Sequence, residues 1–259
     1  MVEGLDIFRE RFRAFRESFV LIGGAACDDW FTSQGLSFRA TKDLDIVLII
    51  EKLDANLVSA FRSFIDDGGY EIHQRTDETP ILYRFAKPKN PEYPFMLELF
   101  SRDQGLLELA PEQTAIPINT DEENHSLSAI LLDDNYYTLL REHQTVSNGL
   151  PFANATSLIP LKAKAWLDLS ERLNHGEQVD SKDINKHRSD VFRLAATLPG
   201  EPGPSLPTDI LADLQEFLDH FSPESGEWQA ILAALKPTLG TLKPVSLIEA
   251  ITAYFQLKL

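Results

Sequence analysis

The stretch from Val20 to Ile50 limits the possible folds more than any other part of the chain. A short apolar run ends at the pair Gly23-Gly24, and a longer apolar run opens with Asp43-Leu44-Asp45. This order predicts a buried strand, a glycine turn, a helix, a loop and a second buried strand. The chain therefore begins with alternating strand and helix, and two carboxylates stand at the mouth of the second strand.

The two aspartates are two residues apart in a predicted strand. Side chains at positions i and i+2 of a strand point to the same face, so Asp43 and Asp45 should project together, roughly 6–7 Å apart along the strand. Paired carboxylate oxygens are suitable ligands for a hard divalent cation, Mg²⁺ or Mn²⁺. We therefore predict a metal site at these two residues.

The glycine pair predicts a second component of the same site. Gly23 and Gly24 stand at the start of a predicted helix, where backbone N–H groups are free to face a phosphate. A phosphate cradle beside paired acids is typical of metal-assisted phosphoryl or nucleotidyl transfer.

Glu98 is the candidate for a third acid. It stands alone in the apolar run Phe95–Phe100, where an unpaired carboxylate would cost several kcal/mol. If this strand lies beside the Asp43 strand, Glu98 can reach the same cation. If it is an edge strand, alternation turns Glu98 to water, and the residues alone leave both interpretations open.

The other predicted elements follow from periodicity and turn residues. The predicted helices and strands before the C-terminal region are the helices 5–18, 25–33 and 54–67 and the strands 20–22, 44–50, 70–75, 81–86 and 95–100. The aromatic stripe of the first helix is expected to pack in the core, and Cys27 to be a small buried residue. Residues 129–146 are ambiguous between strand and helix.

The second half of the chain is predicted to be helical. Helices are expected over 157–173 and 182–197, and a proline- and glycine-rich linker over about 199–207. Three further helices should follow. Thr208 is expected to cap the first, and Ser222-Pro223 to begin the second. A capping box of Ser246 with Glu249 is expected at the start of the third.

Taken together, these segments resemble a known superfamily. The resemblance rests on Leu21-Ile22-Gly23-Gly24, Arg39-Ala40-Thr41-Lys42-Asp43-Leu44-Asp45, Leu97-Glu98-Leu99, the lysine helix around Lys162 and the segment from Lys182 to Asp190. On these segments the chain resembles the nucleotidyltransferases of the DNA polymerase β superfamily. Within that superfamily it is most similar to AbiEii-type toxins and their bacterial relatives. The resemblance covers roughly residues 18–197.

This resemblance implies a fold and a division of the chain. The expected fold is α+β, a nucleotidyltransferase-type mixed twisted sheet flanked by helices and followed by a helical C-terminal region. The expected catalytic domain is 1–150, and the helical region is 151–259.

It also implies roles for individual residues. Asp43, Asp45 and Glu98 would hold the cation, and Lys162 would meet the departing phosphates, with Lys164 as a rival because both cannot face one site. The expected nucleotide-binding residues are Gly23, Gly24, Arg39, Thr41 and Lys42. One departure is that Gly24-Ala25 lacks the serine hydroxyl that often contacts a phosphate in active members.

The Lys182–Asp190 segment has two interpretations of its own. Lys182, Lys186 and Asp190 recur every four residues, which predicts one helical face. That face is either a surface salt-bridge ladder or a wall of the pocket. His187 is expected to be exposed.

Composition bears on partners and location. The formal charge of −16 opposes non-specific binding to nucleic acid or an anionic membrane. No apolar run reaches the roughly 20 residues of a membrane span, and the acidic N-terminus is unlike a signal peptide. A single cysteine excludes an internal disulfide. A cytoplasmic location is therefore expected. The expected substrate is a nucleoside triphosphate; the acceptor (an RNA end, a protein side chain or a small molecule) stays open, and a toxin would have an antitoxin partner.

Two further interpretations compete with a transferase. One is a catalytically silent nucleotide-binding or protein-interaction module with the same fold, slightly favoured by the missing hydroxyl at Ala25. The other is a structural α/β protein with accidental acids, which predicts that Glu98 lies far from Asp43.

Overall fold

In the computed structural model of the chain, the described residues are 2–74, 81–101, 116–117, 127, 130–131 and 133–258. Arg75 at the end of one predicted strand, and Ala129 at the start of the ambiguous stretch, lie outside them. The chain forms two compact units, one of residues 1–30, 39–120 and 140–154, the other of 31–38, 121–139 and 155–259. The predicted division after residue 150 stays a prediction.

The described residues form nine α-helices and eight strands. The helices are α1 Leu5–Phe12, α2 Gly23–Ser33, α3 Ala55–Gly68, α4 Asp134–Glu142, α5 Ala155–Asn174, α6 Ser181–Ala195, α7 Thr208–Asp219, α8 Trp228–Leu239 and α9 Pro244–Phe255. The strands are β1 Phe19–Ile22, β2 Asp43–Leu48, β3 Glu71–Gln74, β4 Ile81–Ala86, β5 Met96–Ser101, β6 Ile116–Pro117, β7 Gln144–Ser147 and β8 Leu150–Ala153.

All eight strands form one mixed sheet in the first unit. Their order is β6-β3-β4-β5-β2-β1-β8-β7. The pairs β2/β5, β1/β8 and β3/β6 are parallel, and the others are antiparallel. The predicted α+β fold, a mixed sheet flanked by helices with a helical C-terminal region, is confirmed.

Aromatic side chains fill the core of the first unit. Phe8 and Phe12 of α1 are fully buried and contact Phe19, Phe61 and Phe64. The predicted packing role is therefore confirmed for Phe8 and Phe12, whereas Phe15 is only half-buried and Phe19 lies on β1. Aromatic pairs of this kind add about 0.5–1.5 kcal/mol each beyond the area that they bury.

Three predicted boundaries in this unit are wrong by a few residues. The first helix ends at Phe12, and a 3₁₀ turn over Arg13–Phe15 replaces its last part. Strand β2 begins at Asp43 and ends at Leu48, because a 3₁₀ turn follows over Ile50–Lys52. The ambiguous stretch contains helix α4 and the first residues of β7, whose hairpin with β8 extends beyond it to Ala153.

Helices α5 to α9 belong to the second unit. A cluster of buried rings joins α5 to the helices after it, formed by Trp166, Phe192, Phe217, Phe221 and Trp228. The proline-rich segment packs rather than hangs free, since the Gly203 N–H donates to the Tyr254 carbonyl at 2.8 Å.

The predicted starts of the last three helices need correction. The N-cap of α7 is Pro207, so Thr208 is its first helical residue. Helix α8 begins at Trp228, after Ser222-Pro223 has formed a turn. Helix α9 begins at Pro244, because proline suits the first helical position, and Ser246 therefore lies inside the first turn and makes no capping box.

Among the described residues, no single helix is long and apolar enough to cross a membrane. Helices α8 and α9 pass such a test only as a pair, which is bent by 80°.

Candidate functional site

The two aspartates share one face of β2. Asp43 and Asp45 are partly exposed, whereas Leu44 and Ile46 between and after them are buried. This alternation is the one expected of a strand, and it leaves both carboxylates accessible on the same side.

Glu98 lies directly beside Asp45. Strand β5 runs parallel to β2, and Glu98 is the register partner of Asp45. Because β5 lies between β4 and β2, the edge-strand interpretation of Glu98 is wrong, and so is the expectation that it lies far from Asp43. Only 3% of Glu98 is exposed.

An arginine that the sequence analysis missed completes the row. Arg84 on β4 is the register partner of Glu98, and its Nε donates to Glu98 Oε1 at 2.7 Å. The signal was a lone charge in the short apolar strand Ile81–Ala86, which is the same kind of signal that singled out Glu98. Asp45, Glu98 and Arg84 therefore follow one another across three adjacent strands, and we call them the carboxylate row.

Burial and charge change the acidity of Glu98. Desolvation raises its pKa most strongly, and the neighbouring charge of Asp45 raises it further, while the Arg84 guanidinium opposes both effects. The result is a pKa raised from 4.5 to about 8. A hydrogen bond to the Asp45 carboxylate also raises the pKa of Glu98, since it favours the protonated form of Glu98.

The glycine turn lies against the same row. Helix α2 begins at Gly23, directly after β1, and Gly23 has a φ of +62°. A β-carbon there would lie 1.7 Å from Asp45 Oδ2, so only glycine allows this close approach. The start of α2 is therefore held beside a carboxylate of the row.

The second glycine is matched to Thr41. A β-carbon on Gly24 would lie 2.4 Å from Thr41 Oγ1. The Thr41 hydroxyl therefore occupies the place where a side chain of residue 24 would begin, which gives a physical reason for the absence of serine there.

The predicted cations before β2 are at the surface. Lys42 is exposed, and its Nζ lies 5.8 Å from the centroid of the Phe95 ring, which is itself 51% exposed. Arg39 is partly exposed. Lys42 and Phe95 adjoin the first residues of the two strands that carry the acids.

Lys162 belongs to the second unit, on α5. It is buried, and its Nζ lies 3.2 Å from Asp190 Oδ2 on α6. Asp190 is fully buried and also accepts a hydrogen bond from Arg193, which is 5% exposed. We call Lys162, Asp190 and Arg193 the lysine cluster.

Other predictions about this helix pair are settled by burial. Lys164 pairs instead with Asp213, at 2.7 Å on another side of α5. The surface ladder ending at Asp190 is wrong because Asp190 is inaccessible, and His187, expected at the surface, is only 2% exposed. Cys27 is buried as predicted.

The side chains of Asp43, Asp45 and Glu98 do not form a three-ligand metal site in their present positions. Within the described part of the chain, no group of three or more His, Cys, Asp or Glu side chains could hold a metal ion. Arg84 occupies one oxygen of Glu98, which is a physical reason for this. The assignment of Asp43, Asp45 and Glu98 as metal ligands stays a prediction.

Comparison with known proteins gives a weak structural likeness. No protein-family model matches the chain, and no curated protein matches it. A solved structure with some similarity is the crystal structure of an antigenic nucleotidyltransferase-like protein from Paracoccidioides brasiliensis, with a TM-score of 0.43 and 16% identity over 98% of this chain and 92% of that chain. The expected likeness to AbiEii-type toxins stays a prediction.

Proposed function

We propose that the chain is a metal-dependent nucleotidyltransferase, which moves a nucleoside monophosphate from a nucleoside triphosphate to an acceptor hydroxyl. The observation that carries the proposal is the register of Asp45 with Glu98, because it places three carboxylates on one sheet face. The start of α2 at Gly23 lies against the same face.

The donor set suits a divalent cation. Two neighbouring carboxylates repel each other when both are ionised, and a hard cation bound between them relieves that repulsion. Asp43 and Asp45 would hold the ion first, and Glu98 would join them by leaving or sharing Arg84. When bound, the cation would neutralise phosphate charge and stabilise the attacking and leaving oxygens.

The chain's own groups would orient the triphosphate and move the proton. The free N–H groups at the start of α2 would bind phosphate oxygens, and the Thr41 hydroxyl is placed beside them. The acceptor oxygen would attack the α-phosphorus, the bond to the bridging oxygen would break, and pyrophosphate would leave. Glu98, once ionised, would take the acceptor's proton.

Exposed and buried cations would have different tasks. Lys42 and Arg39 precede β2 and would meet the phosphates at the surface. Lys162 would supply positive charge to the departing pyrophosphate. Its pairing with Asp190 fixes its ammonium in one place.

A specific observation favours a second candidate function. The contact between the Arg84 guanidinium and the Glu98 carboxyl is buried, with the two side chains 12% and 4% exposed. If Arg84 never releases Glu98, the third ligand is lost, and the chain would be a silent nucleotide-binding or interaction module.

The test uses each α-labelled nucleoside triphosphate with Mg²⁺ and a total cell extract. The wild type is expected to transfer label to one class of acceptor, and Asp43→Asn and Asp45→Asn are expected to transfer none. Glu92→Gln, an exposed carboxylate change in the same unit, serves as the control and should keep full activity. Nucleotide binding without any transfer would favour the silent module.

Toxicity is a separate question. If the product of transfer harms the cell, expression of the wild type should slow growth, whereas Asp45→Ala should not. Equal growth with both would remove the toxin proposal and leave the transferase proposal intact.

A further inference from the structure

A second surface feature lies at one edge of the sheet, at strand β7. Within the described residues, β7 is the last strand of the sheet and pairs only with β8. The two strands form a hairpin through Asn148 and Gly149, which have φ angles of +49° and +85°. Such a two-residue turn fixes the pairing register tightly.

The register decides which backbone groups of β7 point outward. Val146 pairs with Pro151, which has no N–H, so this is a non-hydrogen-bonded pair. His143 confirms the alternation, since its carbonyl accepts from the Asn154 N–H at 3.2 Å. The N–H and C=O groups of Gln144 and Val146 therefore point away from β8, and no other described strand pairs with them.

The side chains along this edge are accessible. Val146 is 55% exposed, which is unusual for a large apolar residue, and Thr145 is exposed as well. A short edge strand with an exposed valine and unused backbone groups is a template for an added strand.

A cavity adjoins the same edge. It has a volume of about 510 Å³, with Gln144 and Val146 on one side and the buried Ile49 among its apolar lining. Gln144 and Val146 share a strand face, so a strand added at β7 would bring its own side chains over this cavity.

The charged residues that line the cavity are mostly cations. They are Arg16, Lys52 and Arg141, whereas Glu17 is the one carboxylate among the lining residues. Glu17 lies 4.0 Å from Lys52, and Arg141 pairs with Glu51 at 3.1 Å, but Arg16 adds positive charge beyond these pairs. This balance is positive in a chain whose net charge is −16.

We propose that β7 docks an extended acidic segment of a partner protein, which adds as a further strand and places a carboxylate in the cavity. The backbone groups of Gln144 and Val146 would supply main-chain hydrogen bonds, and Arg16, Lys52 and Arg141 would select an acidic side chain. Specificity thus comes from the cavity, and part of the affinity comes from the backbone.

Charge separates this occupant from the alternatives. A second copy pairing through β7 would bring the same cations against one another, which costs free energy. A nucleic acid would leave the outward backbone groups of β7 unused and would face the repulsion of the acidic chain.

The docking surface is distant from the proposed active site. Strands β1 and β8 lie between β2 and β7, which separates Gln144 from Asp45 by roughly 14 Å across the sheet, although the two residues are level with each other. Ile49, on the cavity, lies beyond the end of β2 opposite to Asp43. The inference therefore does not depend on the proposed function.

The test uses a labelled seven-residue peptide of alternating valine and glutamate with blocked ends. Binding is measured by fluorescence anisotropy, and hydrogen exchange of the Gln144 and Val146 amides is followed by NMR. We expect saturable binding, slower exchange at both amides, and at least about tenfold weaker binding of the same peptide with alternate N-methylated amides or with lysine in place of glutamate.

Val146→Pro is the decisive variant. It removes an outward N–H that the hairpin does not use, so folding should be kept, and peptide affinity should fall at least about tenfold. Val146→Thr keeps the N–H and the branched shape and should bind like the wild type. Should Val146→Pro fail to fold, Lys52→Gln with Arg141→Gln should weaken only the acidic peptide.

Several results would overturn the proposal. The wild type and Val146→Pro could bind the acidic peptide equally, or the wild type could bind the acidic and basic peptides equally. Hydrogen exchange of the Gln144 and Val146 amides could also stay unchanged when the peptide is saturating. Each of these results would contradict a strand added at β7. A dimer in solution that Val146→Pro dissociates would assign the edge to a second copy instead.

Discussion

The carboxylate row and the lysine cluster are both groups of three charged residues, but their charges are balanced in opposite ways. The row joins two carboxylates to one guanidinium, whereas the cluster joins two cations to the single carboxylate of Asp190. The row keeps a partly exposed member in Asp45, whereas all three members of the cluster are buried. Burial of ionisable groups is therefore common to both, and an accessible carboxylate beside a second carboxyl distinguishes the candidate cation site.

The largest expected effect comes from the lysine cluster. Asp190→Asn would leave Lys162 and Arg193 buried without an anion, and we expect a loss of about 3–5 kcal/mol in the free energy of unfolding. Urea denaturation measures this loss. Glu177→Gln, which alters an exposed pair with Arg172, should change stability by less than about 1 kcal/mol. Similar effects of the two changes would contradict the described burial of Asp190.

The carboxylate row should make stability depend on pH. The folded pKa of Glu98 is raised from 4.5 to about 8, so between these values the folded state holds a proton that the unfolded state has lost. This contribution is complete below about pH 4.5 and is lost as the pH rises through 8. The metal-free protein should therefore lose on the order of 2 kcal/mol between pH 6 and pH 9 through this group.

Glu98→Gln isolates that contribution. The variant cannot lose a proton at this position, so its thermal stability should decline less than that of the wild type over the same pH range. Parallel pH curves for the two proteins would show that Glu98 is already ionised at neutral pH.

The close approach of the glycine turn should have a smaller cost. Gly23→Ala introduces both a strained positive φ and a clash with Asp45, for an expected loss of about 2 kcal/mol. Gly35→Ala is a matched control, because Gly35 has a φ of +70° and open space around it. The difference between their unfolding free energies measures the clash alone, and no difference would mean that the turn is not held against Asp45.

Lys162→Met should give the smallest change in stability. Asp190 keeps Arg193 as a partner, and methionine fills a similar volume, so we expect a loss of about 1 kcal/mol or less. Nucleotidyl transfer should nevertheless fall at least tenfold if Lys162 meets the departing phosphates. Full activity in a stable Lys162→Met would remove Lys162 from the proposed mechanism.

The sequence predicted the strands of the site because their apolar runs are continuous, and it predicted the shared face of Asp43 and Asp45 because strand alternation is local. The register of Asp45 with Glu98 joins strands that are far apart in the chain, and only tertiary packing decides between an edge and an interior position. Arg84 became recognisable as a partner only after its strand was placed beside β5.

The lysine cluster was harder to predict for a different reason. The spacing of Lys182, Lys186 and Asp190 is typical of a solvated helix face, but the last turns of α6 are buried on every side, from His187 to Ala195. A helix that is buried on every side has no separate polar face, so the 3.6-residue hydrophobic period of an amphipathic helix does not show in its sequence. The missing capping box at Ser246 shows the same limit of local patterns, since Pro244 fixed the start of α9 instead.

Proton release on cation binding tests the central claim most directly. The wild type with a non-hydrolysable nucleoside triphosphate is titrated with Mg²⁺ at pH 7, by calorimetry in buffers of different ionisation enthalpy. Because the raised pKa of Glu98 keeps a proton on this carboxyl at pH 7 and a bound cation would displace it, we expect close to one proton released per site in the wild type and almost none in Glu98→Gln. Mg²⁺ binding without proton release, or equal binding after Asp45→Asn, would contradict the assignment of the carboxylate row as a cation site.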